Sequence, residues 1–280
     1  TKMATAAELL RQGRRDEIWR KYCGFLDLSL EEFMDIQKRL LMEQIDLLSK
    51  CELGHKLLGD KVPTNVEEFR QRVSMTTYDD YLPYLAEKRE DILPRKPFWW
   101  LRTSGRSGQG PKWAPYTREA ARKLGQCGIT LLILASCSKR GDFALEEGDI
   151  MLYTLAPFPY VSGAILKSAQ EDFNFSVLPP EERAVKMDFQ ERIQEGFHMA
   201  LKSGLDIFDG MASVLVKIGE QFREGAGRLH FSAYFLHPQV MFRLIRALIR
   251  SRLAGSSFLL PKVLWDIKCL ATGSTDTALF

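Results

Sequence analysis

The sequence is poor in histidine and has no long apolar run. Its four histidines are scattered, and its five cysteines are odd in number with no zinc-type spacing, so they define no metal site. No apolar stretch reaches the roughly 20 residues that a bilayer span requires. Thr1–Glu17, TKMATAAELLRQGRRDE, carries no apolar signal-type core. A net charge of +3 is too small to argue for nucleic acid. No Ser-His-Asp set can be assembled by spacing, and there is no internal repeat or low-complexity tract. These absences point to a cytoplasmic chain with reduced, mostly core cysteines and with neither a membrane nor a nucleic-acid partner.

What remains is ordinary globular material. The 280 residues are 45% hydrophobic and 27% charged, enough for one large or two modest domains. Two textures divide the chain, a helical N-terminal region at 1–95 and an α/β region at 96–280. In the first, Ser29 and Glu32 form a capping box ahead of Phe33, Ile36, Leu40, Leu41, Ile45, Leu47 and Leu48 at helical spacing. Further helices are predicted at Val66–Arg72 and Pro83–Glu90. In the second region, Phe98–Arg102 and Asp149–Leu155 read as strands. The run Ile129–Ala135 reads as a strand covered on both faces. Helices are expected over Thr117–Gly125, Pro179–Lys202, Asp206–Phe222 and His237–Leu253, followed by segments at Ser257–Leu260 and Leu264–Thr272. Strands alternating with helices give an α/β fold class.

Several features have plain structural readings. The helix Phe242–Arg252 is basic and amphipathic, and reads as a layer helix with a solvated arginine face rather than a binder of membranes or acidic partners. His198, His230 and His237 are isolated and read as structural. Phe98-Trp-Trp100 reads as strand packing. The acidic pairs Glu67-Glu68, Asp79-Asp80 and Glu146-Glu147 read as helix starts or solvated turns.

The chemistry-bearing segment is Thr103-Ser-Gly-Arg-Ser-Gly-Gln-Gly-Pro-Lys112. Glycines let a backbone approach phosphate and turn successive N–H groups inward. Hydroxyls donate to phosphate oxygens, and a lysine adds a point charge. It is not a Walker A loop, because Pro111 separates Gly110 from Lys112 and Trp113 follows the lysine. From chemistry alone it is either a phosphate cradle or a surface loop without a ligand.

This segment resembles the phosphate-binding loop of the adenylate-forming superfamily, a Ser/Thr/Gly run followed by lysine. Its spacing to Lys112 is similar to that of the auxin-responsive-promoter family of acyl-acid amido synthetases. Other landmarks are similar in order: Gln37–Met42 through Leu47–Gly54, then Val66-Glu-Glu-Phe-Arg70, Val73 and Tyr78-Asp-Asp-Tyr81 before the loop. Gly204–Asp209 and Trp265–Ser274 follow after it. The resemblance covers nearly the whole chain, most thinly between Lys139 and Ala200, and matches the N-terminal half of the family.

The resemblance implies part of the large N-terminal domain of adenylate-forming enzymes, a helical region followed by a mixed sheet with flanking helices. It implies ATP and Mg2+ as cofactors, a carboxylic acid activated as its adenylate, and an amine or amino acid acceptor. Thr103, Ser104, Gly105, Arg106, Ser107, Gly108 and Lys112 would surround the ATP phosphates. Phe158 and Tyr160, in Ala156–Gly163, fall where the acyl pocket begins; their alternative reading is core packing. Two alternatives stand beside amide synthesis: an acyl-CoA ligase of the phenylacetate type, and a non-catalytic nucleotide-binding or interaction module.

Two departures from the family pattern are informative. Arg106 stands where the family has a hydroxyl residue. The family's later motifs, including a catalytic lysine, do not occur, so the chain is expected to be the N-terminal part of a longer synthetase, incomplete for catalysis. An incomplete sheet would leave an edge and apolar surface open to self-association. If Arg106 marks a degenerate loop, Arg106→Thr leaves activity unchanged or raises it. A large loss of ATP affinity in that variant, measured by titration calorimetry, would refute degeneracy.

Overall fold

The computed structural model describes residues 4–103, 112–224, 237–256, 259 and 261–273, without the side chains of 221–224 and 261. Ser104, Gly105, Arg106, Ser107, Gly108, His230, Ser274 and most of the expected segment Ser257–Leu260 lie outside the described residues.

The N-terminal texture is helical, as its caps dictate. It comprises α1 (Ala6–Arg11), α2 (Arg15–Cys23), α3 (Leu30–Leu48), α4 (Glu52–Leu58), α5 (Val66–Arg72) and α6 (Leu82–Leu85). Ser29 and Glu32 start α3 reciprocally: the Ser29 amide donates to the Glu32 carboxylate (2.8 Å), and the Glu32 amide donates to Ser29 Oγ (3.2 Å). The expected helix Pro83–Glu90 is only the short α6, ending where Lys88 turns to positive φ.

Two antiparallel strands follow, β1 (Trp99–Arg102) and β2 (Trp113–Tyr116), then α7 (Arg118–Ser136), capped by Thr117. A short pair, β3 (Cys137–Lys139) and β4 (Asp142–Phe143), leads to β5 (Ile150–Tyr153). The rest alternates: α8 (Val161–Gln170), β6 (Ser176–Leu178), α9 (Glu181–Ala184), α10 (Phe189–Ser203), β7 (Ile207–Gly210), α11 (Ala212–Glu224), α12 (Pro238–Leu253) and β8 (Cys269–Thr272). The strands order as β6-β5-β7-β8, every neighbouring pair parallel, because helices carry each crossover.

Alternation along the strands splits the core in two. Met151, Tyr153 and Ile207 face Ile18, Trp19, Ile129 and Ile133 on one side. Leu152 and Phe208 face Ala200, Leu201, Val240 and Ala247 on the other. Helices α7 and α8 pack closely, since a Cβ on Gly125 would stand 2.6 Å from the Ser168 carbonyl carbon and 2.7 Å from the Ala169 nitrogen. The Asp172 carboxylate, beyond α8, accepts from the Ala6 amide (3.0 Å), Lys21 Nζ (2.7 Å) and the Tyr22 hydroxyl, tying α1 and α2 to the sheet.

The structure corrects four expectations. Ile129–Ala135 is not a strand but the end of α7. Its buried residues Ala121, Gly125, Ile129, Leu132 and Ile133 hold a helical period that the 63%-exposed Leu131 disguises. Asp206–Phe222 is not one helix: Ile207–Gly210 is a buried strand whose neighbours on both sides supply its hydrogen bonds, and helix α11 begins at Ala212. Pro179–Lys202 divides into α9 and α10, each with its own N-cap residue. Helix α12 buries only Val240, Ala247 and Ser251, and its outward side carries Phe242, Ile245 and Ile249 as well as arginines.

Gly125→Ala is expected to destabilise the fold by about 1–3 kcal/mol, because backbone rather than a flexible side chain must yield. Denaturant unfolding measures it, and a neutral result would mean that the two helices separate freely.

Candidate functional site

The hairpin β1–β2 presents its open end as the mouth of the glycine-rich segment. Its two flanking residues hold each other: the Thr103 amide donates to Lys112 O (2.9 Å), and the Lys112 amide donates to Thr103 Oγ1 (3.2 Å). The register below them pairs Arg102 with Trp113. A third strand-like contact joins Arg102 to Tyr160, with the Arg102 amide donating to Pro159 O (2.9 Å). Thr103, Lys112 and Tyr160, 57 residues apart at the extremes by number, therefore meet around one hairpin end. Phe158 is directed elsewhere; it meets Trp99 edge-on with ring centres 5.4 Å apart.

Aromatic rings and cations alternate beneath this mouth. The Arg102 guanidinium lies 6.0 Å from the Trp113 ring and 5.3 Å from the Tyr160 ring. Lys88 stands 3.5 Å over Trp113, and Lys112 stands 5.0 Å from Tyr78. Such stacking holds cations in place without neutralising them. Arg102 Nε is buried with no hydrogen-bond partner among the described residues. A hydroxyl, a lysine and an unpaired guanidinium nitrogen around one opening form a donor set suited to an anion such as phosphate.

Tyr78 fixes the mouth from the helical region. Its hydroxyl accepts from the Trp113 amide and donates to Trp113 O, both at 3.0 Å. Sequence reasoning quoted Tyr78 as a landmark but gave it no task, and it placed Arg102 and Trp113 at the loop's two sides without giving either a role.

The carboxyl end of the parallel sheet lies nearby in topology, immediately before the segment that contains Phe158 and Tyr160. There the Thr154 amide donates to Asp209 O (2.9 Å), while Thr154 Oγ1 and Tyr153 Oη have no hydrogen-bond partner among the described residues. Burial pushes the Asp209 carboxyl up to about 6, with no cation to oppose it. Buried, uncompensated groups at the carboxyl ends of parallel strands are where ligands of such sheets bind.

Among the described residues no group of three or more His, Cys, Asp or Glu side chains could hold a metal. No helix among them is long and apolar enough to cross a membrane.

Because Asp209 has a folded-state pKa above its unfolded value, its penalty is absent at low pH and grows as pH rises from about 4 to about 6. Asp209→Asn is expected to remove that decline, on the order of 3 kcal/mol or less. Melting temperature against pH for both proteins checks this; parallel curves would refute the burial account.

Comparison with known proteins gives two findings. The model of the GH3 family N-terminal domain matches residues 23–168, just over half of the chain. Among solved structures, AtGH3.15 acyl acid amido synthetase in complex with 2,4-DB matches with a TM-score of 0.56 at 18% sequence identity, over 86% of this chain and 48% of that one. The chain thus spans about half the length of that structure, and at this identity the likeness is one of fold. No curated protein matches the sequence.

Proposed function

The chain belongs to the GH3 family through that N-terminal domain, and on this premise we propose that it carries the ATP-phosphate site of an acyl-adenylate-forming ligase. The reaction is activation of a small carboxylic acid by ATP to an acyl-adenylate and pyrophosphate, then amide formation with an amine or amino acid.

The observation that carries the reading is the hairpin mouth. Thr103 and Lys112 are hydrogen-bonded to each other in both directions, so the loop between them starts and ends at one point. A loop pinned in this way can fold its glycine amides around a triphosphate, and positioning with charge neutralisation dominates catalysis at phosphates. Lys112 supplies charge at the mouth. Arg102, held between Trp113 and Tyr160, offers Nε from below. ATP fits this donor set. Mg2+ would be carried on the phosphates and would neutralise charge there; no residue of this chain is assigned to it. Phe158 and Tyr160 remain the proposed entry to the acyl pocket.

Two further elements belong to the same proposal. All five cysteines are unpaired, in keeping with a reducing cytoplasmic setting. Strand β8 is an edge of the sheet among the described residues, and its Leu270 is 49% exposed, which favours self-association along that edge.

Calorimetric titration with ATP and magnesium is expected to give saturable binding. Lys112→Ala should weaken it about tenfold or more, as loss of one charge-assisted contact requires. Equal affinity in the variant would remove the phosphate role from this loop. Carboxylate-dependent ATP–pyrophosphate exchange then separates a ligase from a module that only binds nucleotide.

A further inference from the structure

A small cavity lies between α8, β6, α9 and α10, at the carboxyl end of β5 and away from the loop mouth. Its volume is about 30 Å³, and Phe158, Leu166, Lys167 and Glu181 form part of its wall. Since a water needs roughly 10–15 Å³ of such space, it holds about two water-sized centres, the extent of one carboxylate group rather than an aromatic ring.

Two polar side chains line it, each with one buried atom that has no hydrogen-bond partner among the described residues. Tyr153 and Arg192 are each only 6% exposed, so both are more than nine-tenths buried. Tyr153 Oη and Arg192 Nε make no hydrogen bond among the described residues. The Ser162 hydroxyl donates to Ala156 O (2.9 Å) and also lies within hydrogen-bonding influence of Tyr153, favouring its charged form. Arg192 has the Phe189 ring at 5.7 Å and no ion pair among the described residues; burial opposes its charge, and the more distant Asp188 carboxylate works against that. The other two charges on the wall cancel, because Lys167 pairs with Glu181 at 3.3 Å. Asp209 does not line the cavity. The wall therefore carries one cation with no ion pair and one phenol with no direct hydrogen bond among the described residues, while the Asp188 and Asp209 carboxylates act on them from outside the wall.

A buried guanidinium without a counter-charge is costly, and a hydrophobic replacement would be cheaper. Its retention there is explained by a ligand that supplies the missing charge. We infer that this cavity is a carboxylate-binding site, with Arg192 Nε and Tyr153 Oη as its donors. The planar guanidinium matches a carboxylate edge-on, and the phenol donates to the same group. The carboxylate has two possible sources. It can belong to a free small acid, or it can be the distal group of a longer acid whose reacting end lies beyond Phe158. The second source rests on the acyl-pocket reading above; the first does not.

The test is binding without nucleotide, so that its failure is separate from failure of the ligase reading. Wild-type protein is titrated with acetate and with glutarate against a chloride control of equal ionic strength, with calorimetry and melting temperature as readouts. Saturable binding is expected, weakened about tenfold or more in both Arg192→Met and Tyr153→Phe. Arg192→Met without ligand should melt no lower than wild type, since it removes an unpaired buried charge; a structural arginine would behave oppositely. Tyr153→Phe retains the packing and serves if the arginine variant fails to fold. Tighter binding of glutarate than of acetate assigns the longer acid, and the reverse assigns the free small one. Absence of saturable binding, which leaves the cavity to water alone, overturns the inference. So does binding that neither variant weakens.

Discussion

The close contact between α7 and α8 is the constraint on which the rest depends. Helix α7 continues directly from β2, and α8 begins at Val161, immediately after Phe158 and Tyr160. The relative position of the loop hairpin and the acyl-side segment is therefore set by how these two helices lie against each other. Gly125 permits contact at backbone distance, and Ser168 and Ala169 are the small residues that receive it. Gly163 repeats the device at the start of α8, where a Cβ would stand 2.1 Å from the Phe158 nitrogen. Bulk at either place would shift one side of the mouth relative to the other by more than a hydrogen bond tolerates.

The two ends of the parallel sheet are treated differently. At the amino end, charges are answered: the Asp206 carboxylate accepts from the Ile150 amide (2.8 Å), and Lys268 meets both Asp149 (2.7 Å) and Glu146 (2.8 Å). Burial, with the Asp206 carboxylate, raises Asp149, and Lys268 works against it. At the carboxyl end, Thr154 Oγ1, Tyr153 Oη and Arg192 Nε have no partner among the described residues, and burial pushes the Asp209 carboxyl up to about 6. One end is arranged for stability; the other carries polar groups whose partners must come from outside. That polarity follows from parallel pairing, which gathers every strand's carboxyl end on one side.

Much of this was legible in the sequence where the signal is local. A capping box states its helix within four residues, and the Ser29 box did so. The glycine-rich segment declared its chemistry by composition, and Phe98–Arg102 declared a strand beside it. Signals failed where tertiary context decides. The apolar run at Ile129–Ala135 is equally compatible with a strand or a buried helix, and only its continuity with the Thr117 cap resolves it. Ile207 and Phe208 resemble a helix start until parallel neighbours on both sides are known. The pairing of Tyr78 with the Trp113 backbone, and of Tyr153 with Arg192 across a cavity, depends on register between segments about 35–40 residues apart, which no local spacing encodes. The segment 104–111 lies outside the described residues, so its role stays with its chemistry and its pinned ends.

The Asp172 hub has a consequence for how the chain is made. Helix α1 finds its hydrogen-bonded seat on a residue 166 positions later, and Lys21 and Tyr22 reach the same carboxylate. During synthesis α1 and α2 precede the turn beyond α8 that seats them by more than a hundred residues, and until then only α7 and β4 can cover part of α2. At roughly 5–20 residues per second, that interval is about 10–30 seconds. For that time the apolar sides of α1 and α2, with Ile18 and Trp19, are available to any chaperone that reads exposed hydrophobic surface. Helices α1 and α2 are thus translated well before the carboxylate that secures them.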